Sequence, residues 1–171
     1  MSPDLSSPAR AVDRSFADGQ ETVCRFTMEI RSINAHLEEL RQFRANMLGI
    51  TGPQWMILTA LADLDRKDGA PVNVVSKLMH VDASFVTTQS KLLEKKGLLR
   101  RRSSTSDARV VQLSLTDKAY KHLTTVATKL EALNEFVFGE FGIPESLELV
   151  SKLAAVRHRL ESACLKAALE F

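Results

Sequence analysis

The stretch that most restricts the fold runs from Asn73 to Leu115, because the period of the sequence changes there. A short extended piece at Pro71-Val72 leads into two short helical patterns. Asn73 is placed to cap a helix over 74–80, His80 and Val81 make a tight turn, and Asp82 caps a second helix over about 83–96 that Gly97 stops. The period then drops to two. Residues 98–102 and 109–115 read as strands, with Val111, Leu113 and Leu115 on one side and Gln112 and Ser114 on the other. The joining loop, Ser103 to Ala108, is small and polar. Helix, turn, helix and hairpin in this order spell a winged helix-turn-helix, whose second helix enters the major groove of duplex DNA.

Charge points the same way. The whole chain has a formal net charge of only +2. Between residues 83 and 109, Lys91, Lys95, Lys96, Arg100, Arg101, Arg102 and Arg109 are opposed by Glu94 and Asp107 alone, so the rest of the chain is slightly acidic. A basic block on a nearly neutral chain is the electrostatic footprint of a polyanion partner. In the second helix, Val86 and the Leu92-Leu93 pair are expected to face the core, turning Ser84, Thr87, Thr88 and Lys91 outward. Hydroxyls reach phosphates or base edges, and threonine methyls meet thymine methyls. No arginine stands at the front of this helix, so bidentate guanine reading is not expected from it and DNA shape carries part of the specificity. The wing supplies cations for a narrow minor groove, with Asp107 expected to fix the Arg109 guanidinium in a charge-assisted bond. The candidate contacts are Ser84, Phe85, Thr87, Thr88 and Lys91 from the helix, and Arg100, Arg101, Arg102, Asp107 and Arg109 from the wing.

Long apolar stripes flank this segment. Val23, Phe26, Ile30, Ile33, Leu37, Leu40 and Met47 mark a helix from about Asp18 to Leu48, ended at Gly49. Thr51 caps the next helix, which holds Pro53 in its first turn, carries Trp55, Leu58 and Leu61 inward and frays near Asp68. Thr116 caps the helix after the wing, where Asp117 suits the helix dipole. Leu123, Val126, Leu130, Leu133 and Val137 continue it, Gly142-Ile143-Pro144 breaks the chain with Pro144 starting the last helix, and Val150, Leu153, Val156 or Arg157, Leu160, Cys164 and Ala167 stripe that helix. A chain of this size has few surfaces left to bury both end stripes, which therefore suggest a two-fold helical dimer interface. The expected fold class is mainly α with a small β-hairpin wing (α+β). Residues 1–17 form a mobile polar leader, 18–50 an N-terminal dimerisation helix, 51–116 the winged helix-turn-helix DNA-binding lobe, and 117–171 C-terminal dimerisation helices.

The run from Val81 to Thr87 and from Leu93 to Leu98 resembles the MarR family of bacterial regulators. So do Asp107-Ala108-Arg109, the Leu115-Thr116 junction, and the pattern Thr51, Gln54, Trp55 and Leu58. The resemblance implies an obligate homodimer with interlocked terminal helices, a pseudo-palindromic double-stranded DNA operator, and repression released by a small molecule. It makes Ser84, Thr87 and Thr88 the recognition-helix contacts and Arg109 the minor-groove residue. Ala83 and Thr88 stand where members often carry arginine, and Phe85 where a small threonine is common.

Relatives often hold effectors between the dimer helices and the DNA-binding lobe. His36, Phe43, Arg44, Met47 and Trp55 are the candidates for that cleft here, and aromatic and thioether groups beside a cation suit an aromatic carboxylate or an acyl-coenzyme A thioester. Two other expectations stand beside this one: a redox-sensing repressor acting through Cys24, and an effector-independent architectural DNA-binding protein. Cys24 and Cys164 are too far apart and too few for a disulfide framework or zinc site. His36, His80, His122 and His158 show no metal-ligand spacing. With no phosphate loop, nucleophile elbow or suggestive carboxylate pair, no catalytic residue, metal or cofactor is expected. No apolar run approaches the roughly 18 residues of a membrane span and no signal peptide is apparent, so a cytoplasmic setting is expected.

Overall fold

The computed structural model describes residues 8–64, 69–104 and 107–170. In chain order it has α1 (Pro8–Met47), α2 (Gly52–Leu64), β1 (Ala70–Pro71), α3 (Val72–Met79), α4 (Ala83–Lys95), β2 (Leu99–Ser103), β3 (Val111–Leu115), α5 (Asp117–Lys129), α6 (Glu131–Phe138), a 3-10 turn at Gly139–Phe141 and α7 (Gly142–Glu170). The chain divides into two compact units, Met1–Leu123 and Thr124–Phe171. The mainly helical fold with a small wing agrees with expectation.

In the first unit, Ile57 and Leu58 of α2, Val75 of α3, Val86 and Leu93 of α4, Leu99 of β2 and Leu113 of β3 are fully buried. Burying side chains of this size stabilises the lobe by roughly 1.5–3 kcal/mol each. The expected hairpin is one part of a three-stranded antiparallel sheet ordered β1-β3-β2. The third strand is two residues long, too short to show a period, and pairs Ala70 with Leu113 and Pro71 with Gln112. Gly69 permits this approach. Its φ is +82°, and a Cβ there would stand 2.6 Å from the Leu113 carbonyl oxygen. Because Pro71 belongs to β1, α3 starts at Val72, with Asn73 inside its first turn rather than capping it. The Asn73 carbonyl accepts from Ser76 Oγ at 3.1 Å.

Local signals place the other boundaries. A capping box opens α2: Gln54 N–H donates to Thr51 Oγ1 at 3.4 Å, and Thr51 N–H donates to Gln54 Oε1 at 3.3 Å. Both helices of the helix-turn-helix close alike. Val81 N–H reaches the Ser76 carbonyl at 3.0 Å across a left-handed His80, and Leu98 N–H reaches the Leu93 carbonyl at 3.0 Å across a left-handed Gly97. Asp82 occupies the N-cap position of α4 with extended backbone, without a side-chain cap bond. Thr116 Oγ1 accepts from Ala119 N–H at 3.2 Å and so caps α5.

Two boundaries differ from expectation at the ends of the chain. The backbone of α1 runs back to Pro8, through most of the expected leader; residues 1–7 of that leader, like the expected fraying at Asp68, lie outside the described residues. Pro8 suits a first helical position, and the single Gly19 costs only about 1 kcal/mol, too little to stop a long helix. The helix expected to continue through Val137 instead breaks at Leu130, between α5 and α6. Thr124, Thr125, Val126 and Thr128 crowd the turn before the break, and Thr128 Oγ1 donates back to the Thr124 carbonyl at 3.1 Å, a bond that weakens and bends helices.

Apolar side chains remain uncovered within the chain. Val23, Ile30, Ile33 and Leu37 of α1 are exposed, as are Val150, Leu153 and Leu160 of α7, and Phe136 of α6 is 84% exposed. None of the described helices is long and apolar enough to cross a membrane.

Gly97→Ala should cost about 1–2 kcal/mol of stability. Its φ is +69° and a Cβ there meets nothing within 4 Å, so the loss is purely conformational. Urea unfolding measures it.

Candidate nucleic-acid interface

Helix α4 buries Val86, Ser90 and Leu93. These positions, four and three residues apart, form one narrow row facing the lobe. Ser84, Phe85, Thr88 and Lys91 lie on the exposed side, as expected, while Thr87 is half-buried at the border. Leu92 was expected inward beside Leu93 but is 40% exposed. One residue is 100° of helix, and that rotation carries Leu92 off the buried row.

The wing strands follow their pleat. Leu99 pairs with Leu115, Arg101 with Leu113 and Ser103 with Val111, so these residues share the core-facing side. Arg100 pairs with Ser114 and Arg102 with Gln112, and both arginines are exposed on the opposite side. The expectation of three adjacent wing cations is therefore corrected for Arg101, whose side chain retains 13% exposure. Its Nη1 donates to the Thr87 carbonyl at 3.2 Å and to Ser90 Oγ, and its Nε lies 3.9 Å from Glu94 Oε2. Its backbone N–H donates to Glu94 Oε1 at 3.0 Å. An alternation counted from Leu99 would have found the inward arginine.

The Asp107–Arg109 pair also differs. The Asp107 carboxylate accepts from the backbone N–H of Arg109 at 2.9 Å, not from its guanidinium, and the Asp107 carbonyl accepts from Val110 N–H at 2.9 Å. Asp107 thus closes a side-chain-to-backbone turn that sets the direction of the chain at Arg109. Arg109 sits in this turn, before β3 begins, and is exposed. Lys96, counted in the basic block, braces the other end of the lobe: its Nζ donates to the Gly49 carbonyl at 2.8 Å. Lys118 Nζ donates to the Lys96 carbonyl at 3.1 Å, and Thr116 Oγ1 to the Gly97 carbonyl at 2.9 Å.

A second polar seam was not anticipated. Gln54 is 3% exposed, and its Nε2 donates to Gln89 Oε1 on α4 at 3.1 Å. The same turn reaches α1, where Gly52 N–H donates to Gln42 Oε1 at 3.2 Å and Gln42 Nε2 donates to Asn46 Oδ1 at 2.8 Å. Among the effector candidates, Trp55 is buried in the core of the first unit, Arg44 is half-buried, and His36, Phe43 and Met47 are exposed. His36, Phe43 and Met47 fall on one face of α1, and the His36 ring is 2.8 Å from the Ser32 carbonyl. Cys24 and Cys164 are exposed free thiols. Among the described residues no cluster of three metal-ligating side chains occurs.

Residues 50–111 match the model of the MarR family. This lobe is similar to the winged helix-turn-helix of that family. Over 70 residues, 41% of this chain and 43% of the relative, the sequence is 39% identical to the HTH-type transcriptional repressor MdtR of Bacillus subtilis. The match therefore spans less than half of that repressor's length. Among solved structures the fold is similar to the transcriptional regulator SlyA, with a TM-score of 0.67 and 18% identity over 81% of this chain and 95% of SlyA. It is similar to the S. aureus MepR–DNA complex, with a TM-score of 0.66 and 18% identity over 79% of this chain and 97% of MepR. It is also similar to a mutant MarR from E. coli complexed with operator DNA, with a TM-score of 0.65 and 19% identity over 79% of this chain and 95% of that one.

Asp107→Ala should loosen the wing turn without removing a cation. Losing one exposed bond of about 0.5–1 kcal/mol should speed amide exchange at Arg109 severalfold, while the core amides of α2 and α4 are unchanged.

Proposed function

We propose that this protein is a homodimeric, ligand-responsive transcription regulator of the repressor type, acting in the cytoplasm on a pseudo-palindromic operator. The observation that carries the reading is the division of labour on one lobe. The exposed side of α4 offers Ser84, Phe85, Thr88 and Lys91, and the wing offers Arg100, Arg102 and Arg109. A helix of this length enters the major groove with its first turns near base edges, and arginines on a narrow hairpin suit the minor groove beside it. The relatives MdtR, named a repressor, and MarR, solved with operator DNA, support the same role.

A second copy is the natural cover for the exposed apolar rows of α1 and α7. An effector of the aromatic-acid or acyl-coenzyme A type fits the side chains of Phe43, Met47 and His36 with Arg44 as the cation. The seam from Gln42 through Gly52 and Gln54 to Gln89 connects that part of α1 to the recognition helix. It gives an effector a physical handle on α4.

A duplex selected by the protein from a randomised pool tests the reading. If Lys91, Arg100, Arg102 and Arg109 of both copies each neutralise a phosphate, the log–log salt slope should be about −7. Arg109→Ala should weaken binding by on the order of 1–3 kcal/mol and flatten the slope by up to about 2 for the dimer. Unchanged affinity and slope in filter-binding titrations would remove Arg109 from the interface. Light scattering should give a dimer at micromolar concentration; a stable folded monomer contradicts the dimer reading. A thermal-shift screen of aromatic acids and acyl-coenzyme A esters should yield a ligand that also releases the selected duplex.

A further inference from the structure

We infer that Arg101 is a positioning residue for DNA binding: it locks the wing onto the recognition helix and thereby aims Arg100, Arg102 and Arg109. The inference rests on the DNA-binding reading. Thr87, Ser90 and Glu94 stand at intervals of three and four residues on α4 and so form one row along the helix. All three touch the one guanidinium. Nη1 takes the Thr87 carbonyl and Ser90 Oγ, and Nε faces Glu94. The hydrogen bond from the Arg101 amide to Glu94 Oε1 adds a main-chain tie at the same point.

This place in the fold makes the tie consequential. Strand β2 is at the edge of the sheet, with only β3 beside it, so its outer main-chain groups lack a strand partner. The seam uses that edge to join the sheet to α4. Arginine suits the task because its planar fork engages several acceptors at fixed angles and stays charged when largely desolvated. The pleat does the rest. With Arg101 held inward, its neighbours Arg100 and Arg102 must face out. The inner cation spends its charge within the protein, so that the outer ones meet a partner from a fixed direction.

The test uses the full chain, the duplex it selects from a randomised pool, and the variant Arg101→Met, which keeps the aliphatic stem and removes the fork. Ser90 retains its own bond to the Thr87 carbonyl at 3.0 Å, so the variant leaves no orphaned hydroxyl. Its affinity should fall on the order of tenfold while its dimer mass is kept. Arg101→Lys should recover part of the loss, because an ammonium reaches Glu94 without reproducing the fork. The deciding measurement is a double-mutant cycle. Arg109→Ala should weaken binding by on the order of tenfold in the wild type and by about twofold or less beside Arg101→Met, because an unaimed wing has little contact to lose. Glu94→Gln, at a more exposed site, should show the same coupling in smaller measure and keeps the test open if Arg101→Met does not fold. Full additivity with Arg109→Ala in both backgrounds overturns the inference. Wild-type protein that enriches no duplex overturns the DNA-binding reading itself, an outcome distinct from additivity.

Discussion

The orientation of one short helix governs the lobe, and a single buried row sets it. α4 places Val86, Ser90 and Leu93 against the core and has no other fully buried side chain. Val86 and Leu93 lie one near-complete double turn apart, so both pull the same edge of the helix inward. Every outward residue then has a fixed azimuth. Ser84, Thr88 and Lys91 are exposed because Val86 and Leu93 are not. A helix of this length gains little from propensity alone, so its direction comes from this packing and from the polar contacts along its flanks. Gln54 meets it through Gln89, and Arg101 meets it through Thr87, Ser90 and Glu94. Apolar burial fixes which side faces inward, and the directional bonds fix the fine angle that burial tolerates.

The features legible in the sequence were those with a strong local signature. Thr51 and Gln54 form the capping box that their spacing implies, Gly97 takes the left-handed cap, and Val111, Leu113 and Leu115 share a face. The misjudged features depended on partners distant in sequence. The extended piece expected at Pro71-Val72 is a strand one residue earlier, Ala70–Pro71, because β3 lies beside it, and Asn73 loses its capping role for the same reason. Charge alone groups Arg101 with its neighbours, although the pleat gives it the opposite direction. Charge alone likewise pairs Asp107 with the nearest cation, whereas the nearest donor in a tight turn is a backbone N–H.

The exposed stripes of α1 and α7 raise a different physical question. Scattered apolar residues on a surface need no explanation, but rows at helical spacing do. Val23, Ile30, Ile33 and Leu37 keep a helical stripe to water within the chain, and Val150, Leu153 and Leu160 keep another. Burying such side chains recovers roughly 1.5–3 kcal/mol apiece. In the proposed homodimer, several of them together would offset the entropy of holding two chains in place.

Affinity and specificity fall on different residues of the proposed interface. Arg100, Arg102 and Arg109 interact with phosphates or with the potential of a narrow groove, and the phosphate part of that attraction is the same for every sequence. Base identity must then be read by the first turns of α4, whose exposed side offers hydroxyls, a phenyl ring and the Lys91 ammonium. Hydroxyls accept and donate with little discrimination, whereas methyl and aryl groups distinguish the thymine methyl by contact. Phe85 is 38% exposed and stands in the first turn of α4, the part of such a helix that approaches base edges. A large rigid ring there takes up space that arginine or glutamine would fill with directed hydrogen bonds. Recognition built this way depends on the shape of the groove as much as on its donors and acceptors. It therefore depends on the wing holding its angle, and the angle of the wing is the one property of the lobe that the inward arginine controls.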